Sequence, residues 1–268
     1  MDSTVQKIPA LTFHKVDRAF EWGVTRVTPR QFLRMATWLR DQGYSTVLPW
    51  EMDSPSLPEK PVLITFDDAY ESVYTEAFPV LRELGMRATV FVVSGYVGRD
   101  NGWDVNLGGL RFRHASWDQL KALRDAGWEI GSHTVHHPDL TRVPDETVMR
   151  ECRLSRSTLE ETLGQPVTAL SPPFGRYNER VLEAAVQAGY RRVCAFWRNR
   201  AAENCKEAFV IERKACYLFD TLQSLSAKCA DDGWGRLESI KLRVINFFSH
   251  GTALVKPARH YPFYSTGK

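Results

Sequence analysis

Two aspartates stand side by side directly after a run of strand-forming apolar residues, in the stretch VLITFDD. The run has the length and composition of a fully buried strand, so Asp67 and Asp68 are expected at its C-terminal end. Adjacent carboxylates repel each other, and a folded protein seldom tolerates such a pair without a compensating positive charge. The pair therefore predicts a cation nearby, although an isolated Asp-Asp after a strand is more often a helix cap or a turn.

The stretch GSHTVHHPDL supplies candidate partners for that cation. His133 and His137 are four residues apart next to a strand end, and Gly131 allows tight backbone packing there. Two imidazoles and one carboxylate, with one position left for water, form a known ligand set of catalytic zinc. A divalent ion in such a set would hold one aspartate and leave the other ionised as a general base toward water.

The elements that must position these residues alternate along the chain. Strands are predicted over 9–16, 62–68, 88–94, 128–133, 167–174, 190–197 and 208–217. Helices are predicted over 28–44, capped by Thr28, over 70–85, over 116–127, capped by Ser116, over 144–164 and over 178–189, with helical patches near 220–230 and 234–247. This alternation favours a parallel sheet with helices outside it, either open or closed as a barrel.

The chemical residues favour the barrel, because each of them lies at or near the C-terminal end of a predicted strand. Asp67 and Asp68 end one strand, His133 ends another, His14 lies near the end of the first, and the SPPFG turn ends a fourth. In a barrel the C-terminal strand ends converge on one mouth, where residues distant in sequence meet. We predict an α/β fold, a distorted (β/α) barrel of about seven parallel strands with outer helices.

Composition bounds the class of protein. The chain has 268 residues, with 25% charged and 43% hydrophobic residues, which suits one α/β domain. A net charge of +3 without a Lys/Arg stripe gives no indication of nucleic-acid binding, and the apolar runs are too short for an integral membrane segment. Five cysteines without a CxxC pair, and no visible signal peptide, make the cytoplasm the default compartment. An extracytoplasmic location is expected instead if the sequence is trimmed from a longer one.

The order and spacing of TFDDA, HTVHH and SPPFGRYN resemble the polysaccharide deacetylase family of metal-dependent carbohydrate esterases, the NodB-homology family. The family motifs are T-F-D-D-G/A, H-S/T-x-x-H and an aromatic-rich P-Y/F-G turn. The resemblance covers about residues 8–216 and implies a distorted barrel that removes N-acetyl groups from amino sugars with a bound divalent metal. It predicts a single catalytic domain over 1–268, with 217–268 as a helical C-terminal extension of unassigned role.

The resemblance assigns roles position by position. Asp67 resembles the general base, and Asp68, His133 and His137 resemble the metal ligands, for zinc first and for cobalt, nickel or manganese as alternatives. The backbone N–H of Phe174 resembles the donor that stabilises the tetrahedral oxyanion.

The general acid that protonates the leaving amine has two candidates. In a permuted subgroup, that of the exopolysaccharide deacetylases, it comes from an N-terminal Y-H-x-I/V strand, and the T-F-H-K-V stretch resembles that arrangement. His14 is therefore the first choice for the general acid. The alternative for His14 is a structural role, as a core histidine whose hydrogen bonds are satisfied. His250, in the tail beyond the matched region, is the alternative.

Some positions depart from the family pattern or stay open. Many members have an arginine that orients the catalytic aspartate where this chain has Ser171, and the D-x-x-D-W motif is absent, as expected for a permuted barrel. His136 has the wrong spacing for a ligand and is only a fallback partner for His133. His114 is expected at the surface. Weak substrate-binding candidates are Trp103, Asp104 and Pro173.

The sequence thus predicts metal-dependent N-deacetylation of an amino sugar in a polysaccharide, an oligosaccharide or a lipid-linked glycan. Such a protein would have the glycan as its partner and would associate with a polysaccharide-synthesis system. One alternative is a deformylase or small cyclic-amide hydrolase on the same scaffold. A second is a carbohydrate-binding homologue without catalysis.

Overall fold

A nearly closed barrel of parallel strands forms the centre of the structure, a computed structural model that describes residues 8–19, 25–102, 111–197, 199–201 and 209–230. The strands are β1 (Ala10–Phe13), β2 (Lys15–Val16), β3 (Arg26–Val27), β4 (Ser45–Thr46), β5 (Pro61–Phe66), β6 (Thr89–Val92), β7 (Glu129–Ser132), β8 (Ala169–Leu170), β9 (Arg192–Ala195), β10 (Phe209–Glu212) and β11 (Lys214–Ala215). The main sheet has the order β10-β9-β8-β7-β6-β5-β1-β11, with every pair parallel. Strand β4 pairs with β5, and β2 and β3 form a separate pair.

The two ends of this sheet belong to one bent strand. Strand β10 pairs with β9, strand β11 pairs with β1, and only Arg213 lies between them. The segment 209–215 therefore joins the last strand of the barrel to the first. Counted in this way, the barrel has about seven strands, and the predicted fold class is confirmed.

Six α-helices surround the strands in the part of the chain that the structure describes: α1 (Pro29–Asp41), α2 (Phe78–Glu83), α3 (Trp117–Asp125), α4 (Asp145–Leu163), α5 (Glu179–Gln187) and α6 (Leu222–Cys229). A π-helix over Val73–Ala77 directly precedes α2. Thr28 and Ser116 cap α1 and α3 as predicted, each accepting a bond from the third helical N–H in a capping box. None of the described helices combines the length and the apolar character that crossing a membrane requires.

Apolar side chains form two layers, one inside the barrel and one between the strands and the helices. The interior layer includes Leu63, Phe91 and Ile211, and the segment 47–57 covers it at the N-terminal end of the barrel. A Cβ atom on Gly131 of β7 would lie 2.5 Å from the Phe91 ring, so the close packing expected at this glycine is present.

Several predicted elements differ in extent. The predicted strand 9–16 breaks at His14, because Lys15 and Val16 pair with β3 instead of continuing beside β5. Strand β8 stops at Leu170, before two prolines that have no N–H to donate to a sheet. Helix α6 lies within the predicted patch 220–230, whereas the patch 234–247 lies outside the described residues. The single-domain boundaries remain a prediction.

Candidate active site

Three side chains of the metal-ligand type meet at the C-terminal mouth of the barrel. Asp68 follows β5, while His133 and His137 follow β7, and all three are buried. Asp68 Oδ1 lies 3.5 Å from His133 Nε2 and 3.6 Å from His137 Nε2, and the three ligand atoms lie within 4.8 Å of one another. A tetrahedral ion with bonds of 2.0–2.2 Å separates neighbouring donor atoms by about 3.4 Å. The donor set and its spacing therefore fit one divalent ion, and we call these three residues the ligand cluster.

His133 is oriented by a backbone carbonyl. Its Nδ1 lies 2.6 Å from the carbonyl oxygen of Ser171, and because a carbonyl only accepts, Nδ1 carries the proton. Nε2 is then the nitrogen with the lone pair, and it faces Asp68. Burial lowers the pKa of His133 although Asp67 opposes the shift, so the ring is held in the neutral form that binds metals.

Helix α4 holds the loop that carries His137 through hydrogen bonds. Thr134 and His137 both have positive φ, +68° and +58°, and the Thr134 hydroxyl accepts a bond from the His137 N–H at 3.1 Å. Glu151 of α4 accepts bonds from the N–H groups of Val135 and His136, and the His136 ring donates from Nδ1 to the same carboxylate at 2.7 Å. His136 is thus turned toward α4 and does not belong to the ligand cluster.

The other aspartate of the pair, Asp67, is bound by a buried arginine. Arg213 donates from Nη1 to Asp67 Oδ1 at 2.8 Å and from Nη2 to Oδ2 at 3.0 Å. It also donates to the hydroxyls of Thr65 at 3.1 Å and Ser171 at 2.7 Å. Burial by itself would raise the pKa of Asp67, but the guanidinium of Arg213 outweighs it, and the pKa falls to about 2. Asp67 is therefore ionised throughout the neutral range.

Sequence-based reasoning missed Arg213. The resemblance places the orienting arginine at position 171, but the structure supplies a guanidinium from the bend between β10 and β11, and the small Ser171 side chain bonds it. The aromatic rings of Phe91 and Phe196 lie 5.1 and 5.6 Å from that guanidinium. In the stretch FVIERKAC this arginine stands between Glu212 and Lys214, so the local pattern does not mark it as the charged residue that points inward.

His14 lies beside Asp67 at neighbouring strand ends. Phe13 pairs with Phe66 in register, and the Asp67 N–H donates to the carbonyl of Phe13 at 2.9 Å. Among the described residues nothing bonds the buried His14 Nδ1. Burial lowers the pKa of His14 to about 4 against the opposing effect of Asp67, so the ring is neutral near pH 7.

The PPFG turn lies against the ligand cluster. Phe174 has φ +61°, and its ring is 4.9 Å from that of His137 and 44% exposed. A Cβ on Gly175 would lie 2.3 Å from the Phe196 ring, so the turn requires glycine there. Pro173 is buried in the same turn. The other predicted candidates, Trp103, Asp104 and His250, lie outside the described residues.

The structure corrects the prediction for one histidine. His114 is buried, so the expectation of a surface residue is wrong. Its Nδ1 donates to the carbonyl oxygen of Asp68 at 2.6 Å, and its ring stacks on Tyr70 with the centroids 5.0 Å apart. His114 therefore holds the turn that presents Asp68, which has φ +68°.

Known structures with this architecture define a class. The deacetylase PplD of Streptococcus pyogenes, in complex with acetate, superposes with a TM-score of 0.70 at 25% identity over 84% of this chain and 98% of that one. IcaB from Ammonifex degensii gives 0.66 at 24% identity over 82% and 94%. The barrel thus has the fold of NodB-type deacetylases.

Sequence comparison leads to the family itself. Residues 54–193 match the family model for polysaccharide deacetylase. YxkH of Bacillus subtilis, provisionally named for the same activity, is 33% identical over 192 residues, which are 69% of this chain and 63% of YxkH. The poly-beta-1,6-N-acetyl-D-glucosamine N-deacetylase of Staphylococcus aureus is 26% identical over 143 residues, 50% of this chain and 47% of that protein. The chain belongs to the polysaccharide deacetylase family, and it spans about half to two thirds of the length of these curated relatives.

Proposed function

We propose that this chain is a metal-dependent hydrolase that removes the N-acetyl group from an amino sugar of a polysaccharide, an oligosaccharide or a lipid-linked glycan. One observation carries the proposal: an ionised, arginine-bound Asp67 lies next in sequence to Asp68 of the ligand cluster. A base and an ion site at one barrel mouth are what amide hydrolysis by water requires. Family membership and the N-deacetylase among the relatives support the same reaction.

The ligand cluster would hold one divalent ion, zinc first and cobalt, nickel or manganese as alternatives. When bound, such an ion polarises the amide carbonyl and increases the acidity of water. The residues of the chain contribute by pre-arrangement: the carbonyl of Ser171 orients His133, and His114 holds the Asp68 turn.

Asp67 is the proposed base. Its two carboxylate oxygens are bound side by side by Arg213, which fixes the plane of the carboxylate and keeps it ionised. It can then accept the proton that the attacking water loses as the water oxygen bonds to the acetyl carbon. The alternative of a homologue without catalysis was motivated by Ser171, which stands where many family members have an arginine. Arg213 weakens that argument, because it supplies a guanidinium to Asp67 from a different position.

The leaving amine must gain a proton when the carbon–nitrogen bond breaks. The proton that Asp67 has accepted is the one required, and His14 lies next to Asp67 with a buried Nδ1 to receive it. Because the His14 ring is neutral near pH 7, we assign it to passing this proton to the amine, rather than to storing one beforehand.

The developing negative charge on the carbonyl oxygen needs a donor. The Phe174 N–H is the proposed one, because the left-handed φ of Phe174 occurs in a turn packed against His137. Buried Pro173 would support this turn, and a direct contact with substrate remains a prediction for it.

The test is release of acetate from N-acetylglucosamine oligomers, β-1,4- and β-1,6-linked, with added zinc or cobalt. Asp67→Asn should lower kcat by about 10²–10⁴ and retain bound metal, since it removes only the base. Asp68→Ala should lose both metal and turnover. Asp125→Asn, at an exposed position on α3, is the matched control and should behave as wild type. Unchanged turnover in Asp68→Ala would overturn the metal assignment.

A further inference from the structure

A second concave site lies beside the ligand cluster. It is a cavity of about 320 Å³, lined in part by Ser94, Tyr96, Arg99, Trp117 and His136, and we call it the side cavity. Its volume falls at the lower end of the range of small-ligand pockets, about 300–1,000 Å³. Neither the ligand cluster nor Asp67 lines it.

The side cavity is built onto the loop that carries the metal ligands. The N–H groups of Ser94 and Gly95 donate to the carbonyls of Thr134 and Val135, each at 3.0 Å. A Cβ on Gly95 would lie 2.6 Å from the Val135 oxygen, so glycine is required for this approach. His136 of the cavity directly precedes His137 of the ligand cluster. Consecutive Cα atoms are about 3.8 Å apart, less than the length of one sugar unit, so we infer that a sugar chain with one unit at the cluster extends an adjoining unit toward the cavity.

The lining combines aromatic faces with oriented polar groups. The rings of Tyr96 and Trp117 are partly exposed and offer surfaces on which the apolar face of a pyranose packs. The Oγ of Ser94, a residue 8% exposed, is buried and has no hydrogen-bond partner among the described residues. The His136 ring is oriented by Glu151 through Nδ1, so its Nε2 lies on the opposite side of the ring. Polar groups of this kind bind the hydroxyls and amide of a sugar.

The charge of the lining is one-sided. Arg99 is exposed at the cavity. Burial raises the pKa of Tyr96, and the guanidinium of Arg99 opposes this rise, as expected of a positive charge near the Tyr96 hydroxyl. None of the described residues that line the cavity is a carboxylate. A neutral acetamido group, with its carbonyl acceptor, suits such a lining, whereas a protonated amine is repelled.

We propose that the side cavity is a sugar subsite that binds an N-acetylated unit adjoining the one hydrolysed and disfavours a unit that is already deacetylated. This inference rests on the proposed function, since the reaction itself creates the disfavoured amine. A consequence is that deacetylation of one unit slows attack on its neighbour, so the product retains acetyl groups between the amines.

The experiment compares two oligomers of equal length and linkage, one fully N-acetylated and one deacetylated at alternate units. Each is titrated by calorimetry into metal-loaded Asp67→Asn protein, in which turnover is strongly reduced, at about pH 6 where the amine is protonated. The acetylated oligomer should bind roughly five-fold more tightly, the factor for like charges about 4 Å apart in water. Arg99→Gln in the same background should remove this preference.

Arg34→Gln, an exposed arginine on α1, is the matched control and should retain the preference. Equal binding of the two oligomers to the Arg99-containing protein overturns the proposal, as does binding of neither. An intact, Arg99-dependent preference in a protein whose wild type hydrolyses no amide would refute the proposed function and leave the subsite standing.

Discussion

At the C-terminal mouth of the barrel, three loops contain every described residue other than glycine with a positive φ: Asp68, Ala69, Thr134, His137 and Phe174. The mouth also contains the buried pair of Asp67 and Arg213. The N-terminal end is different. The segment 47–57 covers it with side chains such as Val47, Met52 and Leu57. At this end of the barrel, no described residue other than glycine has a positive φ.

The two ends of the barrel therefore differ in what they contribute to the free energy of folding. A left-handed residue other than glycine costs about 1–2 kcal/mol, and such a cost persists only where surrounding bonds impose it. At the mouth those bonds come from His114, Glu151 and the Thr134 hydroxyl. The opposite end contributes apolar burial without comparable strain. In barrel enzymes chemistry is placed at the first end and stability at the second, and the proposed site of this molecule lies at the first end.

Removing the arginine at the mouth should have the largest effect. Arg213→Met would leave Asp67 buried and unpaired, which costs about 3–5 kcal/mol of unfolding free energy. The pair lowers the pKa of Asp67 below its unfolded value of 3.8, so its contribution is present above about pH 4 and is lost as the pH falls toward 2. Urea denaturation at pH 7 and pH 3 should therefore show a smaller difference between variant and wild type at the lower pH.

A double variant separates the charge from the packing. Arg213→Met with Asp67→Asn removes both charges and should recover much of the stability lost in Arg213→Met alone, without recovering turnover. If the double variant is no more stable than the single one, the loss comes from packing against Phe91 and Phe196.

The opposite end offers a stability change of the other sign. Burial raises the pKa of Glu129, at the start of β7, to about 8, and Glu51 adds to the rise. Because the folded pKa exceeds the unfolded one of 4.5, the unfolded chain binds fewer protons between these values, and stability falls as the pH rises toward 8. Glu129→Gln should be more stable than wild type by ~2–4 kcal/mol at pH 8 and nearly equal to it below pH 5. Denaturation curves that differ by the same amount at both pH values would refute this, and metal content should not change.

The smallest effect concerns one strained residue of the mouth. Ala69 has φ +52°, a conformation in which a Cβ atom is strained and which glycine adopts without strain. Glycine also increases the entropy of the unfolded chain, so Ala69→Gly should raise the free energy of unfolding by only about 0.5 kcal/mol. Ala122→Gly in helix α3 is the control and should lose about 1 kcal/mol. Thermal unfolding of both variants measures the contrast, and losses of equal size would show that Ala69 is not strained.

The sequence could predict the site as far as local pattern and strand direction reach. Apolar runs located the strands, and parallel strands bring their ends to one mouth, so the ligand cluster and His14 were placed correctly relative to the barrel. The roles assigned to these residues remain predictions.

What local pattern could not supply was pairing across long distances. Arg213 and Asp67 are 146 residues apart, and no local feature indicates that the arginine side chain points inward. The burial of His114 likewise depends on Tyr70 and on the backbone of Asp68, both more than forty residues earlier. The break in the first predicted strand depends on pairing with β3, a partner selected by tertiary structure.

The bent strand of residues 209–215 has a consequence for the order of events during synthesis. The same seven residues join β9 to β1 and deliver the guanidinium to Asp67. A nascent chain that ends before this segment contains the residues of the ligand cluster but lacks the strand that completes the ring and the guanidinium that binds Asp67. Contacts of such long sequence separation slow folding, because the entropy of loop closure must be overcome before they form. Competence for the proposed hydrolysis should consequently appear only when the final strand of the ring has left the ribosome and docked.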